Sequence, residues 1–411
     1  MNNPSAAAAE GETHSLRTVA AVVAATTAAQ VAGAMGAAVF PVIAPELARE
    51  LGVDAALIGY QMSVIYGAAM IGSMLFTWMV ARYGGCRTTQ IGMACCVIAM
   101  ALTLHGSVAM LALASVIIGL AMSMNLPAAT HLLFRYTPPR RRNLIFSLKQ
   151  TGVPMAWALM ALIAPVLTLN FGWRWAAAVV LVSALLTLIA MQPARAAWDD
   201  DRRPELAVKV RVLDGFALVW RIAALRWLGL ASFCLAFIQL CVGTFTVVML
   251  VQEAGYSLVA AGLMLSVAQI GGVLGRIGWG WLADRSGDCL AALRMLSLVT
   301  IACSFALMFI GPGWPVLLAA LVFALLGATA IGWNGLYIAE VARRSPPGQV
   351  SVATGGAMVW NFAGILVGPA TFTLVYQMLG SYALSFILVI VMAMVTLWAL
   401  RAARLAMAQT A

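Results

Sequence analysis

The chain has 411 residues, of which 63% are hydrophobic and only 9% are charged, whereas about a quarter of the residues in a soluble domain are charged. This composition predicts a membrane protein and argues against an ordinary soluble enzyme. The net charge of +10 is weak evidence for a nucleic-acid partner, because no basic face exists outside the predicted loops. The sequence contains no cluster of His, Cys and Asp residues of the kind that would predict catalysis, a metal site or a cofactor.

Stretches without Asp, Glu, Lys or Arg predict twelve membrane-spanning helices, each of which needs about 20 apolar residues. Five stretches are long enough for one span, three are long enough for two, and a glycine-rich helix adds one more. The single spans are 18–45, 55–81, 150–173, 175–194 and 227–252, the double ones are 88–134, 295–339 and 345–400, and the glycine-rich one is 257–283. The predicted fold is an all-α membrane protein with twelve transmembrane helices in two pseudo-symmetric six-helix bundles.

The positions of the cations predict the orientation. With the amino terminus in the cytoplasm, only Arg49 and Arg174 fall in outside loops, and only Lys149 and Arg276 fall within spans. An excess of Lys and Arg is typical of cytoplasmic loops. We therefore expect a multi-pass protein of the bacterial inner membrane with both termini in the cytoplasm.

Residues 1–16 are polar and lack a basic region before an apolar run, so they predict a disordered cytoplasmic leader and not a signal peptide. Span 1 is expected to run from about Arg17 to Val42, where Pro41 and Pro45 end it. The longest polar segment then divides the spans six and six. The predicted domains are an N-terminal bundle at 17–192, a cytoplasmic linker at 193–225, a C-terminal bundle at 226–404 and a cytoplasmic tail at 405–411.

Prolines mark equivalent places in the two halves. Thr-Pro-Pro at 137–139 precedes span 5, as Ser-Pro-Pro at 345–347 precedes span 11. Pro165, late in span 5, is likewise matched by Pro369, late in span 11. Two such repeats around a site at the membrane midplane are typical of a transporter that works by a rocking motion.

Several polar side chains on the predicted spans could line a central cavity. The alternative for Gln30 and the three asparagines is a hydrogen bond between helices, and for the two tyrosines it is apolar packing. They are Gln30 in span 1, Tyr66 in span 2, Asn125 in span 4, Gln269 in span 8, Asn334 and Tyr337 in span 10, and Asn361 in span 11.

Arg276 in span 8 is the cation that most clearly predicts a function. A guanidinium stays charged and costs about 2.5–3.5 kcal/mol at bilayer depth, so it should face a cavity or a partner. Gln269 lies seven residues earlier and shares its helix face. Gly272 and Gly275 are expected to leave that face open to a ligand. The segment therefore predicts the binding of something negatively charged.

A second cation, Lys149, is expected to face Arg276 across the cavity. It could instead extend to the cytoplasmic interface, or pair with a phospholipid. No Asp or Glu is predicted near the midplane, which favours an anionic substrate, because that substrate would neutralise the cations. Glu340 and His131, near the cytoplasmic ends of spans 10 and 4, are the candidates for carrying a proton. A structural role is the favoured alternative for His131, and the substrate itself could carry the proton.

The turn after span 8 has the sequence Gly-Trp-Leu-Ala-Asp-Arg-Ser-Gly at 280–287. It resembles the Gly-x-Leu-Ala-Asp-Arg-x-Gly loop of the Major Facilitator Superfamily, and the resemblance extends over essentially the whole chain. It implies alternating access, with Gly280, Asp284, Arg285 and Gly287 closing the cytoplasmic side in the outward-open state. A solvated turn is the alternative.

The corresponding turn after span 2 departs from the family pattern. Ala81 stands where the family has its aspartate, and only Arg82, Gly84 and Arg87 survive. The resemblance therefore implies that Asp284 can pair with a cation or cap a neighbouring helix, whereas Ala81 cannot.

Two shorter resemblances narrow the substrate class. The pattern Gly-x-x-Gly-Arg-x-x-Trp-Gly at 272–280 is similar to span 8 of oxalate–formate exchangers and monocarboxylate transporters, where the arginine meets the substrate carboxylate; this implies the same role for Arg276. Residues 147–154 resemble the cyanate-permease-like branch. The Gly-Pro-x-x-Gly-Gly signature of multidrug exporters is missing from span 5.

We therefore expect a transporter of small organic anions, with carboxylates as the favoured class, coupled to a proton or a counter-anion. The alternatives are an exporter of hydrophobic or zwitterionic compounds and a non-transporting sensor on the same fold. Beyond its substrate and membrane lipid the protein is expected to need no partner and to be monomeric.

Overall fold

The structure is a computed structural model that describes residues 15–137, 145, 149–203, 205, 213–346 and 350–408. Within these residues, twelve helices are long and apolar enough to cross a membrane, as the sequence predicted. Most of the predicted leader, the prolines at 138, 139 and 347, residues 147 and 148 of the cyanate-permease-like stretch, and the last three residues of the tail lie outside the described residues.

The spans are numbered in chain order. Spans 1 to 6 are Leu16–Leu51, Ile58–Leu75, Gly85–Leu104, Val108–Tyr136, Gly152–Phe171 and Trp173–Met191, and spans 7 to 12 are Ala223–Gln252, Leu258–Ser286, Cys289–Leu307, Val316–Ala330 with Asn334–Arg344, Val350–Leu379, and Tyr382–Ser385 with Ile387–Ala408. Shorter helices are Ala55–Leu57, Thr77–Tyr83, Arg195–Trp198 and Leu213–Arg221.

Span 1 is longer than predicted, because its helix continues through Pro41 and Pro45 to Leu51. Each proline removes one backbone hydrogen bond from a helix. Phe40, Val42 and Ile43 are nevertheless fully buried, so packing on several sides holds the helix together past both prolines. The prediction that these prolines end the helix is wrong.

Serine side chains cap the first helical turn of several spans, and two of these caps lie where the chain reverses before spans 4 and 8. The Ser107 hydroxyl accepts a hydrogen bond from the Met110 amide at 3.3 Å, and the Ser257 hydroxyl accepts one from the Ala260 amide at 3.2 Å. Each bond satisfies an amide that the first helical turn leaves without a partner. The short reversal before span 4 also needs Gly106, whose φ is +74°.

Spans 1 to 6 and 7 to 12 form two halves that pack together on the face away from the termini. There the Thr373 hydroxyl in span 11 donates to the Ala56 carbonyl, just before span 2, at 2.9 Å. A Cβ on Gly59 would overlap the Pro369 carbonyl and Phe245. Within the described residues, no comparable packing joins span 4 to span 10 or span 11. Among the described residues, the interface is therefore tight on the face predicted to be outside and looser towards the termini.

Candidate functional site

A small cavity lies between the two halves, where spans 2, 5, 7, 8 and 10 meet. Its volume is about 40 Å³, and it is lined by Tyr66, Val153, Pro154, Trp157, Gln239, Leu240, Gly243, Gln269, Arg276 and Ile331. A water molecule needs roughly 10–15 Å³ of such space, so the cavity suits a few waters or one small polar group. The lining holds one cation and no carboxylate.

Span 10 is interrupted at residues 331–333, between Ala330 and Asn334. This break gives Arg276 a partner, because its Nε donates to the Ile331 carbonyl at 3.3 Å. Its Nη1 donates to the Gln150 carbonyl of the other half at 3.1 Å. Nη2 forms no hydrogen bond with the part of the chain that the structure describes. Arg276 therefore joins the two halves and keeps donors free beside the cavity.

The glycines around Arg276 have a different role from the one predicted. A Cβ on Gly271 would overlap the Ala324 carbonyl, and one on Gly275 would overlap the Ala328 carbonyl. A Cβ on Gly272 would lie 2.7 Å from Ile331. Small residues let two membrane helices approach closely, so these glycines bring span 8 against span 10. The expectation that they leave a face open to ligand is wrong for Gly272 and Gly275.

Two other predicted site residues line the same cavity as Arg276. Tyr66 is 9% exposed and Gln269 is 5% exposed. Neither side chain forms a hydrogen bond with any other described residue. Polar side chains that are buried in this way normally have a partner, so their free groups beside a cavity are consistent with a ligand or water site.

The remaining predicted polar residues are not among those that line the cavity. Asn125 lies between spans 1, 3 and 4, where its side-chain amide faces Gly33 and Gly92. The Tyr337 hydroxyl donates to the Ala357 carbonyl at 3.4 Å. Asn361 is buried elsewhere in span 11 and forms no hydrogen bond within the described residues. For Asn125 and Tyr337, the structure favours packing roles over substrate contact.

Gln30 is linked to Arg276 through Gln150, which forms a hydrogen bond with each of them. Its Nε2 donates to Gln150 Oε1 at 3.3 Å, and Gln150 is the residue whose carbonyl accepts from Arg276. Gln30 thus contacts the segment that supports the guanidinium, although it does not line the cavity.

Lys149 precedes Gln150 and is only 4% exposed. It forms neither an ion pair nor a hydrogen bond with the residues that the structure describes. Its burial contradicts the alternative in which the side chain extends to the interface or to a phospholipid. Lys149 is not among the residues that line the cavity, so its predicted position facing Arg276 across the cavity is not what the structure shows. It is a buried cation on the segment that Arg276 contacts.

Gln239 in span 7 lines the cavity and was missed by the sequence analysis. Its Oε1 accepts hydrogen bonds from Trp333 Nε1 at 3.0 Å and from Asn334 Nδ2 at 3.3 Å. The predicted site residue Asn334 is therefore not a lining residue itself, but it contacts one, Gln239. A signal was present in the sequence, since Gln239 is an amide in the middle of the apolar run 227–252.

The two candidates for proton transfer lie outside the cavity lining. Glu340 is buried and contacts Arg344 Nε at 3.0 Å and Arg343 Nε at 3.6 Å. His131 Nε2 lies 2.8 Å from Asp201 in the linker. Each group is therefore held by an ion pair or hydrogen bond on the side of the molecule that carries the termini.

The signature sequence at 280–287 is not a turn after span 8: it forms the last helical turns of that span, which ends at Ser286, and most of it is exposed. Asp284 forms no hydrogen bond or ion pair with the described residues, and Arg285 lies over the Trp281 ring with 5.5 Å to its centroid. Gly287 ends the helix with a φ of +67°, a conformation that favours glycine, whereas Gly280 has open space around its Cα. In the corresponding segment after span 2, Arg82 is exposed beside Trp78 and Tyr83.

An aspartate from the linker, Asp199, caps the start of span 3, close to the turn where the family aspartate is replaced by Ala81. Asp199 Oδ1 accepts from the Cys86 amide at 2.7 Å and Oδ2 accepts from the Arg87 amide at 2.9 Å. These amides begin span 3, whose N-cap residue is Gly84. Burial raises the pKa of the Asp199 carboxyl above its ordinary value, although the two amide bonds favour the charged form.

The equivalent position in the second half is built differently. Asp288 is the N-cap residue of span 9, accepts from the Ala291 amide at 2.8 Å, and pairs with Arg404 at the end of span 12. The pKa of Asp288 lies below its ordinary value: burial alone would raise it, but the Ala291 amide and the Arg404 guanidinium favour the carboxylate. The acid lies at the start of the helix here, whereas in the first half it comes from the segment after span 6.

Comparisons with known proteins agree with this architecture. The chain is 28% identical over 227 residues to an uncharacterized MFS-type transporter of Mycobacterium tuberculosis (strain CDC 1551 / Oshkosh), a match that covers 54% of this chain and about half, 48%, of that relative. It is 23% identical to the probable galactarate/D-glucarate transporter GudP of Escherichia coli (strain K12), over 77% of this chain and 78% of GudP.

A crystal structure of the peptide transporter POT in complex with sulfate shares the fold, with a TM-score of 0.76 over 98% of this chain and 99% of that chain, at 15% identity. The sequence profile of the Major Facilitator Superfamily matches residues 26–369. These relatives and this fold are those of membrane transporters and not of enzymes, as the sequence predicted. The chain belongs to the Major Facilitator Superfamily.

Proposed function

We propose that this transporter carries small organic anions, with carboxylates as the favoured class, by alternating access coupled to a proton or a counter-anion. The observation that carries the proposal is the cavity between the halves, whose lining includes Arg276 and no carboxylate. A guanidinium with free donors can hold a carboxylate through two parallel hydrogen bonds. An empty cavity of this kind is electropositive, and an anion reduces the cost of closing it.

The second cation supports the same conclusion. Lys149 is buried without a partner among the described residues, one position before the residue that Arg276 contacts. A buried unpaired charge is costly, and a bound anion would reduce that cost. Arg276 is therefore the primary contact of the anion, and Lys149 adds to the positive potential at this end of the cavity.

The relatives support the substrate class without identifying the substrate. The sequence resemblance of span 8 to oxalate–formate exchangers and monocarboxylate transporters, in which an arginine meets the substrate carboxylate, supports the same role for Arg276. Galactarate and D-glucarate, which appear in the name of GudP, are dicarboxylates. A carboxylate is thus the shared chemistry.

The test is a thermal-shift screen of the purified protein against monocarboxylates, dicarboxylates, inorganic anions and lipophilic cations. We expect a carboxylate to raise the melting temperature, and radiolabelled uptake into proteoliposomes to confirm its transport. Stabilisation by lipophilic cations alone would contradict the proposal and favour a drug exporter.

Variants of Arg276 then test whether this residue contacts the carboxylate of the substrate. Loss of a charge-assisted hydrogen bond in a buried cavity costs roughly 1.5–3 kcal/mol, or about 10- to 150-fold in affinity. Arg276→Gln should lose this amount, and Arg276→Lys should also bind weakly, because an ammonium is a point charge that cannot form the paired contact. If Arg276→Gln binds and transports the carboxylate as well as the wild type, the anion assignment fails.

A further inference from the structure

We propose that Gln239 is a specificity-determining residue of this cavity, which presents its amide N–H groups to the carboxylate of the substrate. The inference rests on the proposed function, since it assigns a second donor to the same site. It arises from a set of contacts around Gln239 that fix one end of the side chain and leave the other end free.

The orientation of the Gln239 amide is determined by its neighbours. An indole N–H is a donor only, so the group that faces Trp333 Nε1 at 3.0 Å must be the Gln239 oxygen. Asn334 donates to the same oxygen at 3.3 Å. Both donors adjoin the interruption of span 10, and Trp333 is fully buried. Rotation of the amide by a half turn would break two hydrogen bonds and set donor against donor.

The nitrogen end of the amide is free as a consequence. Gln239 Nε2 forms no hydrogen bond with the residues that the structure describes, and Gln239 lines the cavity beside Arg276 and Gln269. Arg276 has donors only, and the oriented Gln239 adds two more. A group with several acceptor lone pairs and no proton, such as a carboxylate, satisfies these donors. A cationic or hydroxyl-only ligand would leave some of them unpaired, which is costly in a buried site.

This geometry allows a substitution that separates the structural role of Gln239 from its role in recognition. Gln239→Glu keeps an oxygen that accepts from Trp333 and Asn334, so the contacts that hold span 10 survive. The second carboxylate oxygen replaces the N–H₂ group, so the cavity loses two donors and gains a negative charge beside Arg276. The added acid should compete with the substrate for the guanidinium.

Asn361→Asp is the matched control, because it introduces an acid by the same chemical change in a buried part of span 11 that does not line the cavity. We measure the melting temperature without ligand and the affinity for the carboxylate that best stabilises the wild type. Gln239→Glu should melt close to the wild type and bind at least about 10-fold more weakly. Asn361→Asp should bind within a few-fold of the wild type.

Equal weakening by Gln239→Glu and Asn361→Asp would overturn the inference, because any acid in the bundle would then have the same effect. Wild-type affinity in Gln239→Glu would overturn it as well. If Gln239→Glu fails to fold, Trp333→Phe decides. It removes one of the two donors that orient the amide, should weaken carboxylate binding several-fold, and contradicts the inference if binding is unchanged.

The same measurements distinguish this inference from the proposed function. If no carboxylate binds the wild type, the proposed function itself fails. If the wild type binds and Arg276→Gln does not, but Gln239→Glu binds as the wild type does, then the anion site stands and the assignment of Gln239 alone is wrong.

Discussion

The carboxylate of Asp199 occupies the space that a side chain on Gly84 would need. A Cβ built on Gly84 would overlap the Asp199 side chain, and Asp199 is only 3% exposed. Gly84 is the N-cap residue of span 3 but has no side chain with which to cap it. The linker thus supplies the capping carboxylate that the degraded signature turn lacks.

This relationship predicts the stability of two glycine variants. Gly84→Ala should be clearly less stable than Gly172→Ala, although both glycines have nearly the same φ, +92° and +94°, because nothing lies within 4 Å of a Cβ on Gly172. Asp199→Ala should cost about 0.5–2 kcal/mol, the usual cost of losing a helix cap. Thermal melting in detergent measures each effect.

The double variant checks the cause. If Gly84→Ala destabilises by displacing Asp199, then combining it with Asp199→Ala should cost less than the sum of the single variants. Strictly additive effects would show that the two residues act independently.

Gly59 should control the closure of the face away from the termini. Gly59→Ala places a Cβ against Thr373, Phe245 and the Pro369 carbonyl, and a backbone carbonyl cannot move aside as a flexible side chain can. The variant should therefore favour the state that is open on this face. Gly355→Ala, whose Cβ meets nothing within 4 Å, is the control.

The measurement uses Leu240→Cys, a cavity position, in a background without the native cysteines. Gly59→Ala should increase its labelling by an impermeant thiol reagent added on that face. Labelling that stays at the level of the Gly355→Ala control would contradict the prediction.

Asp284 should stabilise the opposite state. In this structure it is exposed and has no partner among the described residues, as expected if its contacts form only when the side carrying the termini closes. Asp284→Asn should shift the population towards the state that is open on the termini side and slow transport without abolishing ligand binding. Asp284→Glu, which keeps the charge, is the control. Unchanged cysteine accessibility on the termini side in Asp284→Asn would refute this role.

Removing the charge of Lys149 should have opposite effects on stability without ligand and on affinity for the anion. Replacing a buried unpaired charge with an apolar side chain of similar size should stabilise the ligand-free protein, because the cost of burying the charge is removed. Lys149→Met should thus raise the melting temperature without ligand and at the same time weaken binding of the anion. Lys149→Arg, which keeps the charge, should change both less. A lower melting temperature for Lys149→Met would indicate that the ammonium has a stabilising partner.

The sequence predicts the spans well, because a helix in lipid needs a long uncharged stretch and this chain has few charges. It fails at Pro41 and Pro45, where burial on several sides outweighs the lost hydrogen bonds. It also fails at Gly272 and Gly275, because a glycine beside an arginine suits a ligand and a neighbouring helix equally well, and only the position of span 10 decides between them.

The site is predicted in part. Arg276, Gln269 and Tyr66 meet at one cavity, since charge and polarity in apolar helices mark such places. Asn125 has the same sequence signal but lies between helices of one half. Asp199 contacts Cys86, which lies 113 positions earlier in the sequence, and no local pattern records a contact of that range. The contacts of Gln239 with Trp333 and Asn334 likewise depend on the interruption of span 10, which the apolar sequence at 316–330 does not predict.

The contacts of residues 195–203 also determine where this polypeptide could be divided. Residues 195–203 belong physically to the first six spans: Asp199 caps span 3, Arg203 donates its amide to the Ala81 carbonyl at 2.7 Å, and Tyr136 donates its hydroxyl to the Ala197 carbonyl at 2.9 Å. A chain cut after Met191, where the last of these spans ends, would leave its amino-terminal fragment without that cap. A cut beyond Glu205 would give two fragments, each retaining its own capping acid.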